Sequence, residues 1–275
     1  MKQYGEKTFA TRKELIQFLV ANKSFEISRR KSAVKFSDPI TNLLNKGVKM
    51  GKANKGVLYS NDEDKGILQR TLIVNTYLWK DSYYDVHLPG TFTRSIAAKG
   101  VEIPPINQHK FDLDNILGKT LSISENSMPW KSLGIDKAGD TIGVVTETEI
   151  KRDKNPARYD DYLNETIKQH SVGMIYLQCA FACDDEDYPL EYELYSEWID
   201  KLGNQADVEE DGFFFAVMEA KLLEYSCVIA GANELTPVLY PSKDTTKSGD
   251  PSRNTLKALN ALANKLEFIN IINNL

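Results

Sequence analysis

The feature that most limits the possible folds of this chain is a series of short apolar runs rich in β-branched and aromatic residues. Such runs have the length and composition of strands in a half-buried or buried sheet. They cover residues 67–79, 116–123, 141–147, 172–177, 213–218 and 222–229. The run at 116–123 alternates like a strand that crosses a barrel wall. Helical patterns do not alternate regularly with these strands, which argues against a doubly wound sheet and predicts a β-rich α+β fold.

Helical patterns are fewer and shorter. Residues 11–22 form an amphipathic pattern in which Thr11 is a candidate N-cap and Glu14, three positions later, completes a capping box. Short helices are also predicted at 92–100, with Thr91 or Thr93 as cap, at 155–168 and at 192–202.

Composition divides the chain into three parts. Residues 1–65 are a basic, polar N-terminal extension, in which the stretch after the helix at 11–22 is expected to have weak independent folding, and residues 66–240 hold the β-rich domain. Residues 241–254 are a flexible linker, and residues 255–275 follow it with an apolar stripe at helical spacing. That final helix is expected to dock on its own domain or on a partner chain.

The net charge of −5 hides an asymmetry between two segments. Residues 1–60 carry thirteen Lys/Arg and four Asp/Glu, whereas residues 181–220 carry thirteen Asp/Glu and one Lys. The basic arm, with Arg29-Arg30-Lys31, is compatible with nucleic acid or an acidic partner. A solvated arm, or one neutralised by the acidic segment, is favoured because no nucleic-acid-binding signature is present. No run suits a membrane span or a secretion signal, so a cytoplasmic protein is expected.

Several chemistries lack support in the sequence. The three cysteines, Cys179, Cys183 and Cys227, have no zinc or redox spacing and are interpreted as buried free thiols. The three histidines show no metal-ligand pair spacing, and the acidic run 184–187 is interpreted as a solvated loop. Neither a phosphate-binding loop nor a dinucleotide fingerprint occurs, so no cofactor and no metal are predicted.

Nucleophilic catalysis by Ser171 is the remaining option. A serine needs a base within hydrogen-bond reach and a third group that orients the base. His170 adjoins Ser171, but neighbours on one strand point to opposite faces, so His109 is the better base. Glu224 interrupts an apolar strand and needs a partner, which an imidazolium would provide. Residue types alone favour ordinary roles: a surface histidine, a buried serine hydroxyl and a glutamate paired with Lys or Arg.

The order of five short elements adds specificity. They are Pro89-Gly90-Thr91-Phe92, Asn107-Gln108-His109-Lys110, Leu117-Gly118, Ser171-Val172-Gly173-Met174, and Leu223-Glu224-Tyr225-Ser226 with Ala232-Asn233 after it. In this order, over about residues 67–239, they resemble the prohead (capsid maturation) proteases of tailed bacteriophages. Lys110, Met174 and Gly231 depart from the residues usual in that family, as does the long insertion from 184 to 211.

The resemblance implies a serine endopeptidase related to herpesvirus assemblins, with a barrel-like core surrounded by helices. Ser171 would be the nucleophile, His109 the general base and Glu224 the third member, with Glu147 or Glu149 as competitors for that place. The implied substrates are the major capsid protein and the scaffold, cleaved inside the assembling procapsid in the host cytoplasm. Self-association and self-cleavage, with the 241–254 linker as a candidate site, are further implications.

Two other functions stay open. One is a catalytically silent, protease-fold scaffolding protein of the procapsid. The other is a small-molecule serine hydrolase, which is disfavoured because Gln169 replaces the first glycine of the G-x-S-x-G elbow and because the histidine precedes the serine.

Overall fold

The computed structural model describes residues 2–32 and 57–240, and this part of the chain has an α+β fold, as predicted. Its strands are β1 (Lys2–Tyr4), β2 (Lys7–Phe9), β3 (Tyr59–Asp62), β4 (Ile67–Thr76), β5 (Asp85–His87), β6 (Pro105–Asn107), β7 (Gly118–Pro129), β8 (Asp140–Lys151), β9 (Gln169–Cys183), β10 (Phe213–Val228) and β11 (Val238–Leu239). Its helices are α1 (Arg12–Ala21), α2 (Lys23–Ser32), α3 (Thr93–Lys99), α4 (Pro156–Leu163), α5 (Pro189–Trp198) and α6 (Gln205–Asp211). None of these helices is both long enough and apolar enough to span a bilayer.

Two larger sheets and one small hairpin organise the described strands. The first sheet is built on β10, which pairs antiparallel with β9 along its whole length and parallel with β5 and β6. The second sheet has the order β11-β4-β8-β7, with β3 also paired to β4. The hairpin joins β1 and β2. Because these sheets are separate, the described residues contain no closed barrel.

Strand β10 is longer than the sequence predicts. The apolar runs 213–218 and 222–229 belong to one strand, which keeps its pairing with β9 through the polar positions between them. Register shifts occur between Val217 and Glu219 and again between Leu222 and Glu224. Irregularities of this kind insert extra residues and re-aim the side chains that follow. The local sequence pattern predicts a strand end at the polar residues 219–221. Pairing with β9, which the local pattern does not reveal, keeps β10 continuous there.

The core lies mainly between the two larger sheets. It includes Val74 of β4, Val86 of β5, Val172 of β9 and Leu222 of β10, all nearly or fully buried. A second cluster joins α1 to the far end of the β9–β10 pair, where Leu15, Ile16 and Leu19 meet Phe181, Phe213 and Phe215.

Residues 12–32 of the N-terminal extension form two helices: α1, which the sequence predicts, and α2, which lies in the stretch expected to have weak independent folding. Helix α1 has the predicted cap, since Thr11 Oγ1 accepts a hydrogen bond from the Glu14 backbone at 3.2 Å. Helix α2 was not predicted, because its sequence is polar and its stability depends on tertiary contacts. Its Arg30 is 2% exposed and bonds Asp85 at 2.8 Å, so this residue of the basic arm is not available to nucleic acid.

The neutralising interpretation of the basic arm is supported by four ion pairs with the acidic segment. They are Lys2–Glu210, Arg12–Asp184, Lys13–Asp187 and Lys23–Glu191. Such exposed or half-exposed pairs contribute at most about 1 kcal/mol each, so the apolar contacts of α1 dominate the docking of this segment.

Smaller differences concern helix ends. Thr91 does not cap α3 and instead donates its hydroxyl to the Leu88 and Val217 carbonyls. Helix α4 ends at Leu163, five residues earlier than the pattern suggests, and α5 begins at Pro189 rather than 192. The predicted linker 241–254, the helix 255–275 and residues 33–56 of the extension lie outside the described residues.

Candidate active site

Strand pairing brings Ser171 and Glu224 to one face of the first sheet. In the β9–β10 register, Ser171 lies opposite Ser226 and Gly173 lies opposite Glu224. Directly opposed residues of antiparallel strands point to the same face, as do residues two apart on one strand. Ser171, Gly173, Glu224 and Ser226 therefore share a face, called here the outer face.

A tight turn after β6 delivers His109 to this face. The Lys110 backbone donates to the Asn107 carbonyl at 3.1 Å, and the two central residues have positive φ, 51° for Gln108 and 56° for His109. Because β6 runs parallel to β10 with Asn107 opposite Cys227, the turn lies beside the end of β10. Left-handed conformations cost about 1 kcal/mol or more outside glycine, and they persist where surrounding contacts fix them.

His109 and Glu224 are in direct contact. His109 Nδ1 lies 2.6 Å from Glu224 Oε1, and the Glu224 side chain is fully buried. A buried carboxylate is stable only with partners, and the imidazole is one of them. In the tautomer that this contact favours, Nδ1 carries the proton and Nε2 is the unprotonated nitrogen. This is the protonation pattern that a general base requires.

Gly173 makes the room for this carboxylate. A Cβ atom built at Gly173 would lie 2.9 Å from Glu224 Cδ and still closer to Oε1. Any side chain at position 173 would therefore displace Glu224 or distort the strand pair. The glycine two residues after Ser171 thus has a steric reason, which the sequence motif alone does not reveal.

Ser226 completes the described contacts. Its hydroxyl donates to Glu224 Oε2 at 2.7 Å and accepts from the His109 backbone N–H at 2.9 Å. Ser226 belongs to the last of the five ordered elements, where its residue type alone predicts no role. The signal was present, because a two-residue spacing on a strand places Glu224 and Ser226 side by side on one face.

The two competing carboxylates lie elsewhere. Glu147 and Glu149 belong to β8 in the second sheet. Glu147 accepts a hydrogen bond from Ser122 at 2.9 Å, and Glu149 lies 3.5 Å from both Lys119 and Lys151. Of the three glutamates considered, Glu224 is the one with a described contact to His109.

The other two histidines point away from the outer face. His170 is fully buried, with Nε2 2.9 Å from the Tyr162 hydroxyl and Nδ1 3.1 Å from the Thr236 carbonyl. Burial lowers the pKa of His170 to about 4, so it is neutral at pH 7. His87 is also buried and bonds Asn75 Oδ1 at 3.0 Å. The sequence argument that His170 and Ser171 face opposite sides agrees with these contacts.

A small cavity lies on the inner side of β9. Its volume is about 20 Å³, and its lining includes Asn75, His87, Val172 and Tyr176. Ser171 also borders it, although its strand position and its pairing with Ser226 direct its side chain outward. The volume suits one water molecule and no larger ligand, so any substrate of Ser171 must approach from the outer face.

Metal and thiol chemistry find no support in the part of the chain that the structure describes. Residues 2–32 and 57–240 contain no cluster of three His, Cys, Asp or Glu side chains placed to hold a metal ion. Among the described residues, none of the three cysteines forms a disulfide. Cys183 and Cys227 are buried, as expected, and burial raises the pKa of each to about 11, whereas Cys179 is partly exposed.

Comparison of the chain with models of protein families, with curated proteins and with solved structures finds no match. The functional assignment therefore depends on the geometry around Ser171, His109 and Glu224 and on the resemblance of the ordered motifs.

Proposed function

We propose that the chain is a serine endopeptidase in which Ser171 is the nucleophile, His109 the general base and Glu224 the residue that orients the base. The observation that carries this proposal is the 2.6 Å contact between His109 Nδ1 and Glu224 Oε1 on the face that bears Ser171. A buried carboxylate on one imidazole nitrogen leaves the other nitrogen to act on a hydroxyl.

The reaction would proceed in two halves. Ser171 Oγ attacks the carbonyl carbon of the scissile peptide while His109 Nε2 takes the hydroxyl proton. The imidazolium, stabilised by Glu224, then donates this proton to the leaving amine, and the acyl chain stays on Ser171. Water repeats the sequence with His109 as base, which releases the carboxylic acid and regenerates the serine.

The substrates we propose are capsid and scaffold proteins of a tailed-phage procapsid, and the chain itself. This step depends on the five ordered motifs that resemble prohead proteases. Phe111 and Leu113, 65% and 83% exposed in the loop that follows His109, offer apolar surface for an extended polypeptide. The proposed cellular place is the assembling procapsid in the host cytoplasm.

The test uses a fluorophosphonate probe and the intact mass of the purified chain over time. We expect an adduct on Ser171 and loss of a terminal segment in the wild type. Both should fall by about 10³-fold or more in Ser171→Ala and in His109→Ala. Ser124→Ala, which removes an exposed serine of β7, is the matched control.

Peptide cleavage separates the alternatives. Labelling of Ser171 without cleavage of the chain, or of co-expressed capsid and scaffold proteins, would favour a small-molecule hydrolase. Particle assembly without labelling or cleavage, in the wild type as in Ser171→Ala, would favour a silent scaffolding protein. Either outcome would contradict the proposed endopeptidase.

A further inference from the structure

The contacts of Ser226 exceed those of a structural serine. Its hydroxyl has one proton to give and lone pairs with which to accept. Because the His109 backbone N–H can only donate, Ser226 Oγ accepts from it at 2.9 Å and must direct its own proton to Glu224 Oε2 at 2.7 Å. The direction of both hydrogen bonds is therefore fixed by chemistry.

We propose that Ser226 is the positioning residue of the site, because it holds the carboxylate of Glu224 and the backbone of His109 at the same time. This inference rests on the proposed function, in which His109 acts on Ser171. Ser226 is itself fully buried, so direct contact with substrate is not its role.

The first effect of Ser226 is on the carboxylate plane. The last torsion of a glutamate is soft, so a carboxylate held at one oxygen can rotate. Glu224 is held at both oxygens, by His109 at Oε1 and by Ser226 at Oε2. Loss of the second hydrogen bond would let Oε1 leave the position that aligns the imidazole.

The second effect is on the turn. His109 has φ 56°, a conformation that needs support from its surroundings. The hydrogen bond from its N–H to Ser226 gives that support at the residue whose ring must be placed. Ser226 also lies opposite Ser171 across the strand pair. Its side chain therefore holds His109 and Glu224 beside the strand that carries the nucleophile.

The first experiment measures fluorophosphonate labelling of Ser171 as the limiting rate constant kinact and the half-saturation constant KI. Ser226→Ala should lower kinact about 10- to 100-fold, as a small misplacement of a base does, and leave KI unchanged. Ser226→Thr keeps the hydroxyl and should recover most of the lost kinact.

The control variant is Thr148→Val. Thr148 is a fully buried residue of β8, and its hydroxyl hydrogen-bonds the Tyr225 hydroxyl at 2.7 Å. The substitution therefore perturbs β10 from the face opposite Ser226. Equal effects of Ser226→Ala and Thr148→Val on kinact would overturn the proposal. If Ser226→Ala does not fold, Ser226→Cys keeps the volume with a weaker donor and gives the same comparison.

A second measurement does not depend on activity. In a Ser171→Ala background with ¹⁵N-labelled histidine, the His109 Nδ1–H resonance should show a strong hydrogen bond. Ser226→Ala should weaken the hydrogen bond that this resonance reports, and Thr148→Val should leave it unchanged. A resonance unchanged in both variants would refute the role of Ser226. If the wild type is not labelled at Ser171, the proposed function fails, but this resonance still decides what Ser226 does.

Discussion

The two faces of the β9–β10 pair hold similar residue types in different chemical situations. On the outer face, His109 contacts the buried carboxylate of Glu224 directly. On the inner face, His170 contacts a tyrosine hydroxyl and a backbone carbonyl, and His87 contacts an amide and Tyr176. The hydroxyl and the carbonyl beside His170 carry no charge, and burial lowers its pKa to about 4, so it is neutral at pH 7, whereas His109 lies against a carboxylate.

The inner face also contains a strong ion pair, which shows that charge alone does not make a site. Arg30 bonds Asp85 at 2.8 Å, and both side chains are almost fully buried. Asp85 in turn accepts from the Tyr176 hydroxyl at 2.8 Å. This network joins α2 to the sheet. The inner-face network joins buried groups to one another, whereas the outer-face contact includes His109, whose turn also contains the exposed Gln108 and Lys110.

The largest expected effect concerns the carboxylate of the outer face. Glu224→Gln keeps the shape but removes the charge and places either an amide oxygen or an amide NH₂ next to His109. We expect labelling and cleavage to fall by about 10³-fold, as when the acid of a triad is neutralised. Glu149→Gln on β8 should leave both rates unchanged.

Fluorophosphonate labelling rates, measured for the two variants side by side, check this prediction. A loss of activity in Glu149→Gln and none in Glu224→Gln would reverse the assignment of the third member.

The next effect concerns the inner face and pH. The pKa of His170 is lowered by burial from 6.5 to about 4. The unfolded chain therefore takes up a proton on this residue before the folded chain does, and folding stability falls as the pH drops from about 6.5 to about 4. The 2.5-unit difference corresponds to about 3 kcal/mol of unfolding free energy.

Urea unfolding of the wild type and His170→Asn between pH 4 and 7 isolates the pH-dependent contribution of His170 to the unfolding free energy. We expect the pH dependence of the variant to be shallower by about that amount, whatever its absolute stability. Parallel curves for the two proteins would show that His170 is protonated as readily in the folded as in the unfolded chain.

The smallest effect concerns the close approach at Gly173. Gly173→Ala places a methyl group against the Glu224 carboxylate, so either the carboxylate or the strand must shift. We expect labelling of Ser171 to fall about 100-fold, because the base loses its alignment.

The matched control is Gly139→Ala, at a turn where an added Cβ meets nothing within 4 Å. Gly139 has a positive φ of 85°, so alanine there lowers stability by backbone strain. Comparing the labelling rates of the two variants at equal folded fraction separates this loss of stability from misalignment of His109. Undiminished labelling in Gly173→Ala would show that the Glu224 pocket has room to spare.

Much of the local structure could be predicted from the sequence. The N-cap of α1 needs only Thr11 and Glu14, which interact within one turn. Strand β4 has β-branched and apolar residues along most of its length, so its type does not depend on context. The separation of Ser171 from His170 also follows from strand alternation alone.

Long-range contacts set the limit of such prediction. Helix α2 is polar, and the contacts of its buried Arg30 include Asp85, 55 residues away in the chain. The continuity of β10 likewise depends on pairing with β9, which no local pattern reports. A segment whose stability comes from distant partners gives little signal in its own sequence.

The residue types of the candidate site, their order along the chain and the strand alternation that excludes His170 can all be read from the sequence. That Glu224, and neither Glu147 nor Glu149, contacts His109 follows from the way the strands pack. The tertiary structure also assigns Gly173 and Ser226 to the support of that contact. The physical reason is that a hydrogen bond between residues 115 positions apart depends on strand register and on a left-handed turn. Both are fixed by packing across the whole sheet.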